Sequence, residues 1–163
     1  MSEFDHENET GKSKKSLLIV LVLVAGFFSI QILSSSVTYA QSTGDMKKTT
    51  SGGALDILLQ PSPQPVGHSG PTSFKIDFMT KGTHTVQPHI DYDVVIKDNS
   101  GKQIFQASQL AGQPGKPLHT AEGAVTIPYT FQSSGTYSID VQVYGILFNP
   151  IKPESADFSV KVS

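Results

Sequence analysis

The sequence predicts an all-β sandwich of about seven strands lying behind an N-terminal signal or anchor helix, and three observations predict it. Beyond residue 53 the chain is a succession of short runs in which apolar and polar residues alternate with a period of two, the mark of half-buried strands. These runs are separated by clusters of Gly, Pro, Asn and Ser with almost no helical periodicity between them. The longest run, residues 135–145, places Tyr137, Ile139, Val141 and Val143 on one face and Thr136, Ser138, Asp140 and Gln142 on the other.

The first 53 residues are of a different kind. Residues 1–16 are polar, acidic at first and then basic at Lys12, Lys14 and Lys15. Residues 17–33 form an apolar run broken by Gly26, Ser29 and Gln31, and the segment closes on Thr38-Tyr39-Ala40. A basic flank, an apolar core and a small-x-small ending make residues 17–40 an export signal cleaved after Ala40. An uncleaved signal anchor holding the chain in the membrane through residues 17–33 is the alternative, at the short edge of what spans a hydrocarbon core of about 30 Å. Both readings place the lysines in the cytoplasm and everything beyond residue 41 outside. Residues 41–53 are rich in Ser, Thr, Gly and Lys without pattern and read as a flexible linker.

From residue 54 the strands follow in order. Leu55, Ile57 and Leu59 alternate up to Pro61-Ser-Pro-Gln-Pro65, where proline ends the ladder. Phe74, Ile76 and Phe78 form the next run, then Tyr92, Val94 and Ile96. Asp98-Asn-Ser-Gly101 is a hairpin turn, because Asn and Gly tolerate positive φ, and it leads into residues 102–107. Val125, Ile127, Tyr129 and Phe131 alternate next, with Pro128 requiring an edge or a bulge. Residues 135–145 follow, and Phe158, Val160 and Val162 close the chain. The turn Ser133-Ser134-Gly135 followed by Tyr137 matches the penultimate strand of immunoglobulin-like sandwiches, in which a tyrosine anchors the corner. Residues 54–163 are therefore expected to form one immunoglobulin-like β-sandwich.

Composition excludes several functions. The chain has 163 residues, a formal net charge of −2 and no cysteine. Arginine is absent as well, so there is no basic face for nucleic acid. Without cysteine there are no disulfides, no thiolate metal site and no blue-copper centre. Gly112-Gln-Pro-Gly-Lys116 is not a phosphate loop, because its spacing is wrong and Pro117 stands where Ser or Thr is needed. No nucleophile elbow, His-Glu-x-x-His or Gly-x-Gly-x-x-Gly motif is present, and an enzyme is not expected.

The chemistry that remains is at one end. If consecutive strands alternate in direction, the connections at residues 81–90, 109–123 and 144–155 share an end and His68 belongs to the other. That end carries His84, His89 and His119. Neutral imidazoles from neighbouring loops are a first shell for copper or zinc, with Asp91 or Tyr92 to complete or orient it. The metal set expected is therefore His84, His89, His119 and Asp91, with Met79 favouring reduced copper if it is near. The alternative is that these histidines only hydrogen-bond locally. In the connection at 144–153, Ile146, Leu147, Phe148 and Ile151 either fold back over the open end of the sandwich or form a docking patch for a protein partner.

The segments Val86-Gln-Pro-His-Ile-Asp-Tyr-Asp-Val-Val-Ile, Gly115-Lys-Pro-Leu-His-Thr-Ala-Glu-Gly, Gly135-Thr-Tyr and Tyr144-Gly-Ile-Leu-Phe-Asn-Pro-Ile resemble small exported domains of ammonia-oxidising archaea. That resemblance covers residues 54–163 and implies an outer compartment rich in copper. In plan the chain also resembles, more distantly, the immunoglobulin-like copper-handling domains of bacterial periplasms. It departs from them at the mature N-terminus, where Gln41 stands in place of their histidine ligand, so no ligand is carried over. Together these readings lead to an exported or membrane-tethered binding module at the cell surface, with a copper-binding or copper-delivery domain as the alternative.

Overall fold

The computed structural model describes residues 44–163, so the n-region, the signal or anchor segment and residues 41–43 of the linker lie outside the described residues. Among the described residues no helix is long and apolar enough to cross a membrane.

Among the described residues nine strands form two antiparallel sheets, with one helical turn between the fifth and sixth strands: β1 (Met46–Thr49), β2 (Leu55–Ser62), β3 (Thr72–Thr80), β4 (Ile90–Lys97), β5 (Gln103–Gln106), α1 (Ala107–Leu110), β6 (Leu118–Thr120), β7 (Ala124–Tyr129), β8 (Gly135–Ile146) and β9 (Asn149–Val162). One sheet has the order β1-β2-β3-β7, the other β5-β4-β8-β9, and β6 shares the β4 edge with β5. The all-β sandwich read from the alternation is the fold of the described residues.

The core is the set of residues that the period of two places on the inner faces. Leu55, Ile57, Leu59, Phe74, Ile76 and Phe78 come from one sheet, and Val94, Ile96, Ile139, Val141, Phe158 and Val160 from the other; all are buried. At about 1.5–3 kcal/mol for each fully buried large side chain, such a core needs no disulfide. The corner follows the expected design, with the Tyr137 hydroxyl donating to the Ser133 carbonyl at 2.9 Å. Pro128 pairs with Ser73 on β7, an edge strand, where its missing N–H leaves no interior ladder position empty.

Residues 118–120, expected within a connection, form β6 and pair with β4. In three further places the chain differs from the expectation. Residues 46–49, expected within the linker, form β1 and pair with β2. Edge strands need no apolar period, and β1 is held by polar contacts, Lys47 to Asp56 at 3.0 Å and Thr49 to Asp56 at 2.7 Å. The strand expected over 102–107 stops at Gln106, because buried Asp93 accepts from the Ser108 main chain at 3.0 Å and its hydroxyl at 2.6 Å and draws the chain into α1.

The third difference shapes the functional end. Residues 144–155 are not a crossing loop but part of a continuous β8–β9 hairpin, in which Ile146 pairs with Asn149 across a two-residue turn. Tyr144 is an extra residue in β8: Asp91 faces Gly145 and Tyr92 faces Val143, which leaves a bulge between them. Plain alternation from Val143 would send Ile146 outward. The bulge reverses the phase, so Ile146 lies opposite buried Ile90 and packs on the core.

Candidate metal site

Three connections meet at the end carrying this hairpin. The His89 main-chain N–H donates to Ala121 at 3.2 Å, and the His89 carbonyl accepts from the Leu147 N–H at 2.8 Å. His89 is thus fixed by its backbone from both sides. His119 reaches the same place from β6, where it is the cross-strand partner of Asp91 on β4.

The side chains then form a short series. The Asp91 Oδ1 lies 2.8 Å from the His119 Nδ1, and the His119 Nε2 lies 3.4 Å from the His89 Nδ1. An ionised carboxylate only accepts hydrogen bonds, so the His119 Nδ1 donates to Asp91, and in the neutral ring Nε2 carries the lone pair. That lone pair points toward the His89 Nδ1. The Phe148 ring covers both imidazoles, 4.2 Å from the His89 centroid and 5.5 Å from that of His119. His119 and Asp91 remain open to solvent, with side chains 40% and 37% exposed.

The backbone here is strained. Among the described residues three non-glycine residues have positive φ, His89 at 55°, Leu147 at 50° and Phe148 at 63°, and all three belong to this site. The left-handed conformation disfavours L-residues by about 1–2 kcal/mol each. Leu147 and Phe148 occupy the two central positions of a hairpin turn that ordinarily selects Asn-Gly. Neither side chain recovers that strain through burial, Leu147 being 48% exposed and Phe148 69%. Strain of this kind collects at ligand sites and switches.

The residues singled out in the sequence divide as follows. His89, His119 and Asp91 are brought together. His84 is not with them: it lies exposed between Thr83 and Thr85 in the turn closed by Thr80, and shares no hydrogen bond or ring stacking with either histidine. Tyr92 points into the core against Phe78, with centroids 5.5 Å apart, and burial raises its pKa, so orientation of the site falls to Asp91 alone. Met79 is buried, and its strand bridges to Val86. Of the docking residues, Ile146 and Ile151 pack on the core, whereas Leu147 and Phe148 form the exposed tip. Tyr144 turns away from the site and donates to the Gln142 side chain at 2.6 Å. Its pKa is raised by burial and by the nearby Asp93 and Asp140 carboxylates.

Among the described residues no three His, Asp or Glu side chains converge as a complete metal cage. Two nitrogens do converge. An ion about 2.0–2.1 Å from each nitrogen would subtend about 110° across their 3.4 Å separation, close to tetrahedral, with positions left open outward. Asp91 stands where a carboxylate supports a ligating imidazole through its other nitrogen.

No protein-family model matches the chain, and no curated protein matches it. A solved structure with a similar course is that of the PmoD soluble domain from Methylocystis sp. ATCC 49242 (Rockwell), at 14% identity and a TM-score of 0.44, over 71% of this chain and 97% of that one.

Proposed function

We propose that this chain is an extracytoplasmic, non-catalytic β-sandwich module that carries one copper ion between the His89 Nδ1 and the His119 Nε2. The observation that supports this most directly is their 3.4 Å separation with Asp91 already bound to the far nitrogen of His119. Imidazole pairs suit copper, zinc and nickel, and copper binds such nitrogen donors most tightly of the three. Two protein ligands leave coordination positions for water or for a partner's donor, which fits a carrier or accessory role.

The test is titration of the full chain in detergent with copper and with zinc, alongside electron paramagnetic resonance of the copper form. Nitrogen couplings from two imidazoles are expected, lost in His89→Ala and His119→Ala and retained in His84→Ala. Binding no tighter than that of an unstructured histidine peptide, or indifference to both substitutions, overturns the proposal.

The tip supports a second reading, that the module docks on a protein through Leu147 and Phe148, which are exposed on a left-handed backbone. Phe148→Asp should weaken retention of a partner in membrane extracts while leaving the fold unchanged. Unfolding by that substitution would instead assign the tip to the sandwich's own packing.

A further inference from the structure

We propose that Gly145 is a positioning residue of this site, because its missing side chain admits the Asp91 carboxylate that determines which nitrogen His119 offers to an ion. The inference rests on the metal reading above, although the packing that carries it exists without metal. Gly145 does not have positive φ, so backbone freedom does not explain a glycine there. Space does. A Cβ at position 145 would stand 2.3 Å from the Asp91 Oδ2, 3.1 Å from its Cγ and 3.2 Å from its Cβ.

The bulge at Tyr144 brings the two residues face to face, since it sets Gly145 opposite Asp91. The Asp91 carboxylate therefore lies across β8, its Oδ2 over Gly145 and its Oδ1 on the His119 Nδ1 at 2.8 Å. An aspartate has few torsions with which to escape. A side chain at 145 requires the carboxylate to turn, and the hydrogen bond to His119 is expected to go with it. The tautomer of a histidine is set by the bond its other nitrogen makes. Without Asp91, nothing holds the proton on Nδ1, and Nε2 is no longer reserved as a lone pair facing His89. Gly145 thus acts on the ion through two intermediaries, Asp91 and His119, and touches neither the ion nor the imidazoles.

The experiment uses full-length protein, nitrogen-15 labelled and metal-free in detergent, at about pH 8, above the ordinary histidine range. In the wild type the His119 Nδ1 should be the protonated nitrogen; in Gly145→Ala and in Asp91→Ala that preference should be lost. Copper affinity should fall about 10–100-fold in each, the range for losing a partner of a ligating imidazole, and the double variant should be no weaker than Asp91→Ala alone. A Gly145→Ala protein with the wild-type His119 tautomer, or losses that add in the double variant, would overturn the proposal. Should Gly145→Ala not fold, Asp91→Ala decides, and a His119 that keeps its Nδ1 proton without Asp91 is an equally adverse result. A wild type that binds no copper would overturn the metal reading alone, because the tautomer is measured without metal.

Discussion

At one end of the sandwich, His68 directs both its main-chain N–H and its ring Nδ1 to the main-chain oxygen of Ser163, at 3.3 and 2.8 Å. At the other end, His89 and His119 direct ring nitrogens at each other, and Asp91 occupies the far side of His119. The residue type is the same and its use is opposite. The His68 end also holds the tyrosine corner, in which Tyr137 and Ser133 satisfy one another, so hydrogen bonds there close on the chain itself. At the histidine rim, two ring nitrogens face each other at 3.4 Å, and the backbone there departs from its preferred regions. The chain enters the sandwich away from the rim, as β1 begins with Met46 opposite Leu59 and runs toward the Asp56 end of β2.

The contrast can be broken by substitution. The largest stability effect is expected from the shared core: Phe158→Ala should destabilise by about 3–5 kcal/mol, read by urea unfolding, since Phe158 is fully buried. The corresponding change at the rim should leave stability nearly alone and move binding. His119→Ala and His89→Ala should each weaken copper binding by about 100-fold or more, roughly 2.7 kcal/mol, in calorimetric titration, whereas His68→Ala should not change it. Equal effects from His68 and His119 would erase the distinction between the ends.

A gain should come next. Replacing Leu147-Phe148 by Asn-Gly gives the turn its preferred residues and should stabilise the domain by about 1–2 kcal/mol, seen as a higher Tm, with any partner retention lost. An unchanged or lower Tm would mean that the tip packs more than its exposure indicates.

A further effect, read along the pH axis, concerns Asp56. The Thr49 hydroxyl, the Gly82 main-chain N–H and Lys47 stabilise its ionised form and lower its pKa from 3.8 to about 2. The fold thus binds this proton less tightly than the unfolded chain does. Ionised Asp56 stabilises the fold at pH above about 4, and the contribution is lost as pH falls toward 2. Asp56→Asn should flatten that part of the stability profile and leave copper binding at the rim unchanged.

Much of the fold was legible because a buried face imposes a period of two on its strand. In the runs at Leu55–Leu59, Phe74–Phe78, Tyr92–Ile96 and Tyr137–Val143 every second residue is buried in the core, while Asp56, Asp77, Asp93, Val95 and Asp140 on the other faces are buried as well. β1 was not legible, since an edge held by Lys47, Thr49 and Asp56 shows no apolar period. Of the candidate site, counting strand directions placed His84, His89 and His119 at one end without distinguishing among them. The separation of His84 did not, because residues five apart in a loop have no fixed spatial relation. Phe148 was grouped with a docking patch on hydrophobicity alone; its position over the imidazoles depends on a turn conformation that its residues do not favour.

The sequence by itself determined the sandwich and its corner, because alternation and turn chemistry are local and each residue reports them. Only the tertiary structure decided which histidines meet and what supports them. The bulge at Tyr144 reverses the phase of β8, turns Ile146 inward and sets Gly145 against Asp91. That phase is a property of three strands in register, β4, β8 and β9, and no single strand's pattern contains it.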